Sequence, residues 1–91
     1  MKAILISGMI IFDSEMPNWM YRETPMNDDD SGWRIFSGYE DAAFLENGNN
    51  FKLISAEQLI EIDTDIKVNL IAPVGTAFER SIETGKWVLI D

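Results

Sequence analysis

The chain has 91 residues and a formal charge of −9, from 16 acidic and seven basic side chains, and it contains neither cysteine nor histidine. Without cysteine there can be no disulfide framework, thiolate metal site or cysteine nucleophile; without histidine the commonest general base and metal ligand near neutral pH is missing. Both absences point away from an enzyme and toward a recognition protein.

The length suits one domain spanning residues 1–91. A chain of this size buries roughly 60–65% of its unfolded surface, enough for a modest core without metal or disulfide staples. The apolar fraction of 46% is ordinary for a folded protein despite the charge. The acidic surplus should repel nucleic acid and anionic membrane and draw the chain toward basic surfaces. Solubility alone is the competing reading of that surplus.

Residues 2–7, KAILIS, read as a strand buried on both faces, because the apolar residues run on without alternating. Gly8 offers a bend, after which Met9 to Phe12 are expected to resume extended structure. The apolar run is too short to span a bilayer, and Asp13 and Glu15 follow it where a signal peptide would carry a small-residue cleavage site. It therefore reads as a core strand of a cytoplasmic protein, in keeping with the lack of cysteine.

DSEMPN forms a turn. WMYRE (19–23) and WRIFS (33–37) are the clearest strands, rich in aromatic residues. A hairpin between them would carry the nine-residue loop TPMNDDDSG, longer than most, and loops of that kind tend to carry function. Placing Glu23 opposite Trp33 sets Arg22 against Arg34 and Met20 against Phe36. Two facing arginines repel unless carboxylates lie between them, and the loop aspartates are the nearest candidates. A register shifted by one would set an arginine among aromatic residues.

Glu40 to Glu46 can form a short helix ended by Asn47 and Gly48, and FKLI (51–54) another strand. Ser55 and Gln58 make a capping box for a helix whose apolar face includes Leu59 and Ile62. Residues 63–71 fit helix and strand spacing equally well. TAFER (76–80) and WVLI (87–90) close the chain as a hairpin over SIETGK, with Gly85 available for positive φ. Strands cluster and helices interrupt without strict alternation. The expected fold is α+β, a mostly antiparallel sheet of five or six strands with two or three short helices.

Asp28, Asp29 and Asp30 resemble a calcium loop in composition only. With Asp28 as the first ligand, Gly32 falls at the fifth position and Tyr39 at the twelfth, where a calcium loop needs oxygen ligands. The run reads as a solvated turn or a charged contact loop. Paired carboxylates such as Glu40 with Asp41 have no spacing that enforces acid–base geometry, and the serines have no histidine to activate them. No phosphate-binding glycine loop occurs, so neither cofactor nor metal is expected. Arg22, Arg34 and Arg80 each lie inside an apolar strand phrase, where arginines pair with carboxylates or stack on rings. They read as a salt-bridge network organising the sheet, or as a polar pocket built from Arg22, Arg34 and the aspartates. Trp19, Trp33 and Trp87 are packing residues, and any one left exposed beside the acidic loop would make an interface anchor.

Three phrases taken together, WMYRETP, DSGWRIFSGYED and APVGTAFERS, resemble a bacterial family once listed as a domain of unknown function and grouped with immunity protein 33 of polymorphic toxin systems. The similarity runs from about Ala3 to Val88, with Ile35 standing where an aromatic residue is usual. It covers Tyr21, Arg22, Glu23, Ser31, Gly32, Trp33, Arg34, Gly38, Phe78, Glu79 and Arg80. The resemblance implies a small cytoplasmic protein that binds and neutralises a cognate toxin. Joined to the charge, it makes the candidate partner-binding residues Tyr21, Arg22, Glu23, Asp28, Asp29, Asp30, Trp33, Arg34, Glu40 and Asp41, set against a basic toxin surface. The alternative is a small regulatory module that binds a polar ligand at the arginine–carboxylate face.

Overall fold

The computed structural model describes residues 2–90. Its strands are β1 (Ala3–Ser7), β2 (Trp19–Arg22), β3 (Asp30–Phe36), β4 (Phe51–Ile54), β5 (Ala77–Arg80) and β6 (Trp87–Ile90). They form one six-stranded sheet in the order β4-β1-β3-β2-β5-β6. Every pairing is antiparallel except one, where β1 runs parallel to β3. The fold is α+β with a mixed, mostly antiparallel sheet.

The helices are α1 (Gly8–Phe12), α2 (Ala42–Glu46) and α3 (Ala56–Ile62), with 3-10 segments at Gly48–Asn50 and Thr64–Ile71. Helix α1 corrects the expectation of a continued strand after Gly8. The Ser7 hydroxyl accepts the Met9 N–H at 3.2 Å and caps the turn, which directs Ile10 into the core. A Cβ at Gly8 would lie 2.7 Å from the Asn50 carbonyl oxygen, so glycine permits the close passage of the next segment. The α3 capping box forms as expected: Ser55 Oγ accepts the Gln58 N–H at 3.1 Å, and Gln58 Oε1 accepts the Ser55 N–H at 2.8 Å. The ambiguous stretch after Asp63 is 3-10 helix, capped by the Asp63 carboxylate on the Asp65 N–H.

One face of the sheet is covered. Ile4, Ile6, Met20, Trp33 and Ile35 point toward α1, α3 and the long 3-10 segment, meeting Ile10, Leu59 and Ile66 in a single buried cluster. Each such side chain contributes about 1.5–3 kcal/mol by leaving water.

The β2–β3 register differs by one residue from the expected one. Tyr21 faces Arg34 and Arg22 faces Trp33, so the two arginines lie on opposite faces of the sheet. The expected repulsion between them never arises. Arg22 does sit among aromatics, 5.7 Å from the Trp33 ring, and is satisfied there: Nε donates to the Ser31 carbonyl at 2.9 Å and Nη1 to the Ala72 carbonyl at 2.8 Å. Gly32 supports this register. It has φ 88°, its carbonyl accepts the Glu23 N–H, and a Cβ there would lie 2.2 Å from the Glu23 carbonyl oxygen. Strand β3 consequently begins at Asp30, taking in part of the stretch expected to be loop.

Candidate functional site

The other face of the sheet is open. Alternation sends Leu5, Trp19, Tyr21, Arg34, Phe36 and Phe51 to this side. With Leu45 of α2 at the margin, they enclose a cleft of about 710 Å³. Its floor is aromatic. Tyr21 and Phe36 stack with centroids 5.8 Å apart and planes 13° from parallel. Phe51 meets Phe36 edge-on at 6.0 Å and Phe44 at 5.7 Å. A smaller hollow of about 270 Å³ shares Leu5 and Arg34 with the cleft and extends to Met26, Asn27 and Asp29 of the acidic loop.

Arg34 closes the boundary between the two hollows. It is 3% exposed, with Nη1 and Nη2 donating to the two Asp30 oxygens at 2.9 and 2.8 Å and Nε donating to Glu23 Oε2 at 2.6 Å. Asp30 also accepts the Met26 and Gly32 N–H groups, each at 2.9 Å. The Arg34 hydrogen bonds, outweighing the burial that opposes them, hold the Asp30 carboxyl well below the usual carboxylate range. The same pairing raises Arg34 further above its already high value. Burial, reinforced by the charge of Glu23, pushes the Tyr21 hydroxyl up.

At the far end of the cleft Glu40 organises the turn after β3. Its Oε2 accepts the Ser37 hydroxyl at 2.7 Å and the Ser37 N–H at 2.9 Å, and Oε1 accepts the Gly38 N–H at 2.9 Å. Burial raises the Glu40 pKa, but bonds from the Ser7 and Ser37 hydroxyls and from backbone N–H groups outweigh it and leave the carboxyl below its ordinary value.

The expected set of contact residues is thus divided. Tyr21, Glu23, Arg34 and Glu40 come together at the cleft. Asp28 and Asp29 are exposed on the loop, and exposed Asp41 caps α2 by accepting the Phe44 N–H at 2.8 Å. Asp30, placed in the sequence reading on an acidic contact loop, is instead 7% exposed and bound to Arg34. Trp33 and Arg22 lie on the helix-covered side, Trp33 being 2% exposed with its indole N–H on the Leu70 carbonyl. A single polar pocket holding both Arg22 and Arg34 does not form, because the sheet separates them. The salt-bridge reading of the arginines holds for Arg34 and Arg80. Arg80 pairs with Asp63 and lies 4.5 Å from the Trp87 ring, whose N–H also reaches Asp63.

The reading of the sequence missed Phe36, Phe51, Leu5 and Leu45. The signal for Leu5 and Phe36 is there in β1 and β3, where apolar residues occupy both alternations. Such a pattern marks a sheet apolar on both faces but does not say whether the second face is covered. Trp19, 36% exposed at the cleft edge, is the tryptophan left free to serve as an anchor. Among the described residues no group of three or more acidic side chains is arranged to hold a metal ion, and no helix is long and apolar enough to cross a membrane.

Fold and site together define a small α+β protein that armours one sheet face with helices and presents the other as an aromatic, acid-flanked surface. The chain belongs to the immunity protein Imm33 domain family, whose model matches residues 4–91. No curated protein and no solved structure matches it.

Proposed function

We propose that the protein binds and neutralises a cognate toxin, and that it does so across the open face of the sheet. The carrying observation is the uncovered aromatic cleft, in a chain whose family is of immunity type. A large apolar cleft left in water is costly unless a partner covers it, and aromatic side chains are the usual energetic anchors of an interface. Trp19, Tyr21 and Phe36 would supply affinity. Glu23, Asp28, Asp29 and Asp41 would speed association with a basic toxin surface, an effect that weakens with salt. The role is one of binding, not of catalysis.

Co-expression with a cognate toxin domain, sought among the neighbouring genes, tests this. The wild-type chain should restore growth, and Trp19→Ala combined with Tyr21→Ala should not, while circular dichroism shows the variant folded. Full rescue by that folded variant would move the docking surface elsewhere.

A further inference from the structure

The distribution of charge around the cleft is uneven. Of the chain's seven cationic side chains, only Arg34 reaches the cleft wall. Its guanidinium is already bound to both oxygens of Asp30 and to Glu23. Arg22 and Arg80 face the covered side, occupied by carbonyls and by Asp63. Lys52 lies over the Phe12 ring and Lys86 borders a separate hollow beside Trp87. The acids are arranged the opposite way. Glu23 and Glu40 line the cleft, and Glu79 stands directly across from Trp19 on the same face. Once Arg34 is neutralised by Asp30, the wall retains an excess of negative charge over an aromatic floor.

These carboxylates keep acceptor capacity. The Glu23 side chain is 51% exposed and spends only Oε2 on Arg34, while Glu40 Oε1 accepts a single N–H, from Gly38. A carboxylate oxygen has two acceptor sites. We infer that the cleft receives a cationic side chain of the partner, an arginine, laid on an aromatic face of the stacked Tyr21–Phe36 pair with its N–H groups directed at Glu23. This rests on the reading that the open face docks a partner and adds the chemistry of the group that enters. Each ring of the stacked Tyr21–Phe36 pair has one face turned away from the other ring, and an aromatic face suits a planar, weakly hydrated guanidinium better than a compact, strongly hydrated ammonium. The apolar stem of the arginine packs against Leu45 and Phe51. An anionic or neutral group in the same place leaves the carboxylates without a counter-charge, so the cleft discriminates against it.

The test needs no toxin. The full chain is titrated with N-acetyl-arginine amide and with its neutral citrulline counterpart while backbone and aromatic NMR shifts are followed. The arginine probe should move signals of Trp19, Tyr21 and Phe36 and saturate, and the citrulline probe should bind at least about tenfold more weakly. Glu23→Gln should weaken the arginine probe about three- to tenfold, since Arg34 keeps Asp30 and the fold survives. Tyr21→Leu should weaken it comparably, and Glu57→Gln with Glu61→Gln, both exposed on α3, should leave it unchanged. Equal binding of the two probes, shifts spread over every acidic surface, or insensitivity to Glu23→Gln and Tyr21→Leu would overturn the inference. If the probe behaves as described but open-face variants still neutralise toxin, the docking reading fails and the cation-selective cleft stands. If those variants lose neutralisation while the probe ignores the cleft, the reverse holds.

Discussion

Trp33 and Trp19 belong to the same hairpin and have opposite fates. Trp33 is 2% exposed, under Arg22 and bonded to the Leu70 carbonyl; Trp19 is 36% exposed, across from Glu79 at the mouth of the cleft. Similar residue types populate both faces, aliphatics with aromatics and an arginine, yet only one face is covered by α1, α3 and the long 3-10 segment. The comparison teaches that residue type does not separate core from binding surface here. What separates them is which side α1, α3 and the 3-10 segment pack against.

The sharpest way to break that comparison is to truncate the two tryptophans in turn. Trp33→Ala should cost about 3–5 kcal/mol by urea denaturation, a large part of the stability of a domain this size. An unchanged midpoint would remove Trp33 from the core. The next effect belongs to the buried ion pair. Arg34→Met leaves Asp30 enclosed without its partner and should cost about 3 kcal/mol, with the Asp30→Asn, Arg34→Met double variant losing less than the sum of the singles.

The same pair sets the acid response. The folded-state pKa of Asp30 is depressed, so the unfolded chain binds the proton more readily. The contribution of Asp30 is therefore complete above the ordinary carboxylate pKa of about 4 and is lost progressively as pH falls below it. Asp30→Asn should flatten the acid limb of a plot of stability against pH. A limb as steep as that of the wild type would assign the acid sensitivity to other carboxylates.

On the open face the order of effects reverses. Trp19→Ala should change stability by less than about 1 kcal/mol while weakening toxin binding by about 2 kcal/mol, or about thirtyfold, by calorimetry. The smallest effect is expected from Asp28→Asn with Asp29→Asn. Stopped-flow association should slow about two- to fivefold at low salt, with dissociation unchanged and the difference vanishing in high salt. Asp30 is left out of that variant because its loss would act through Arg34.

Much of this was legible from local pattern. The capping box at Ser55, the strands FKLI and WVLI at their observed limits, the hairpin over Gly85 and the α+β class all follow from short-range chemistry that the fold does not override. The helix at Gly8 was not, because a short apolar run satisfies strand and helix alike until the Ser7 cap and the passage of Asn50 decide between them. The β2–β3 register was misread for a related reason. Facing arginines look costly in one register and arginine among aromatics in the other. The choice turns on the carbonyls of Ser31 and Ala72 and on Asp30, and Ala72 is distant in sequence.

The amino-acid order alone established a folded, acidic, cysteine- and histidine-free chain with aromatic strands, since composition, periodicity and capping act over a few residues. Only the tertiary structure decided which aromatics are core and which remain in water, and which acids are free and which are spent on Arg34. Those outcomes depend on one register and on the side of the sheet to which the helices return, and both are set by contacts between segments far apart along the chain.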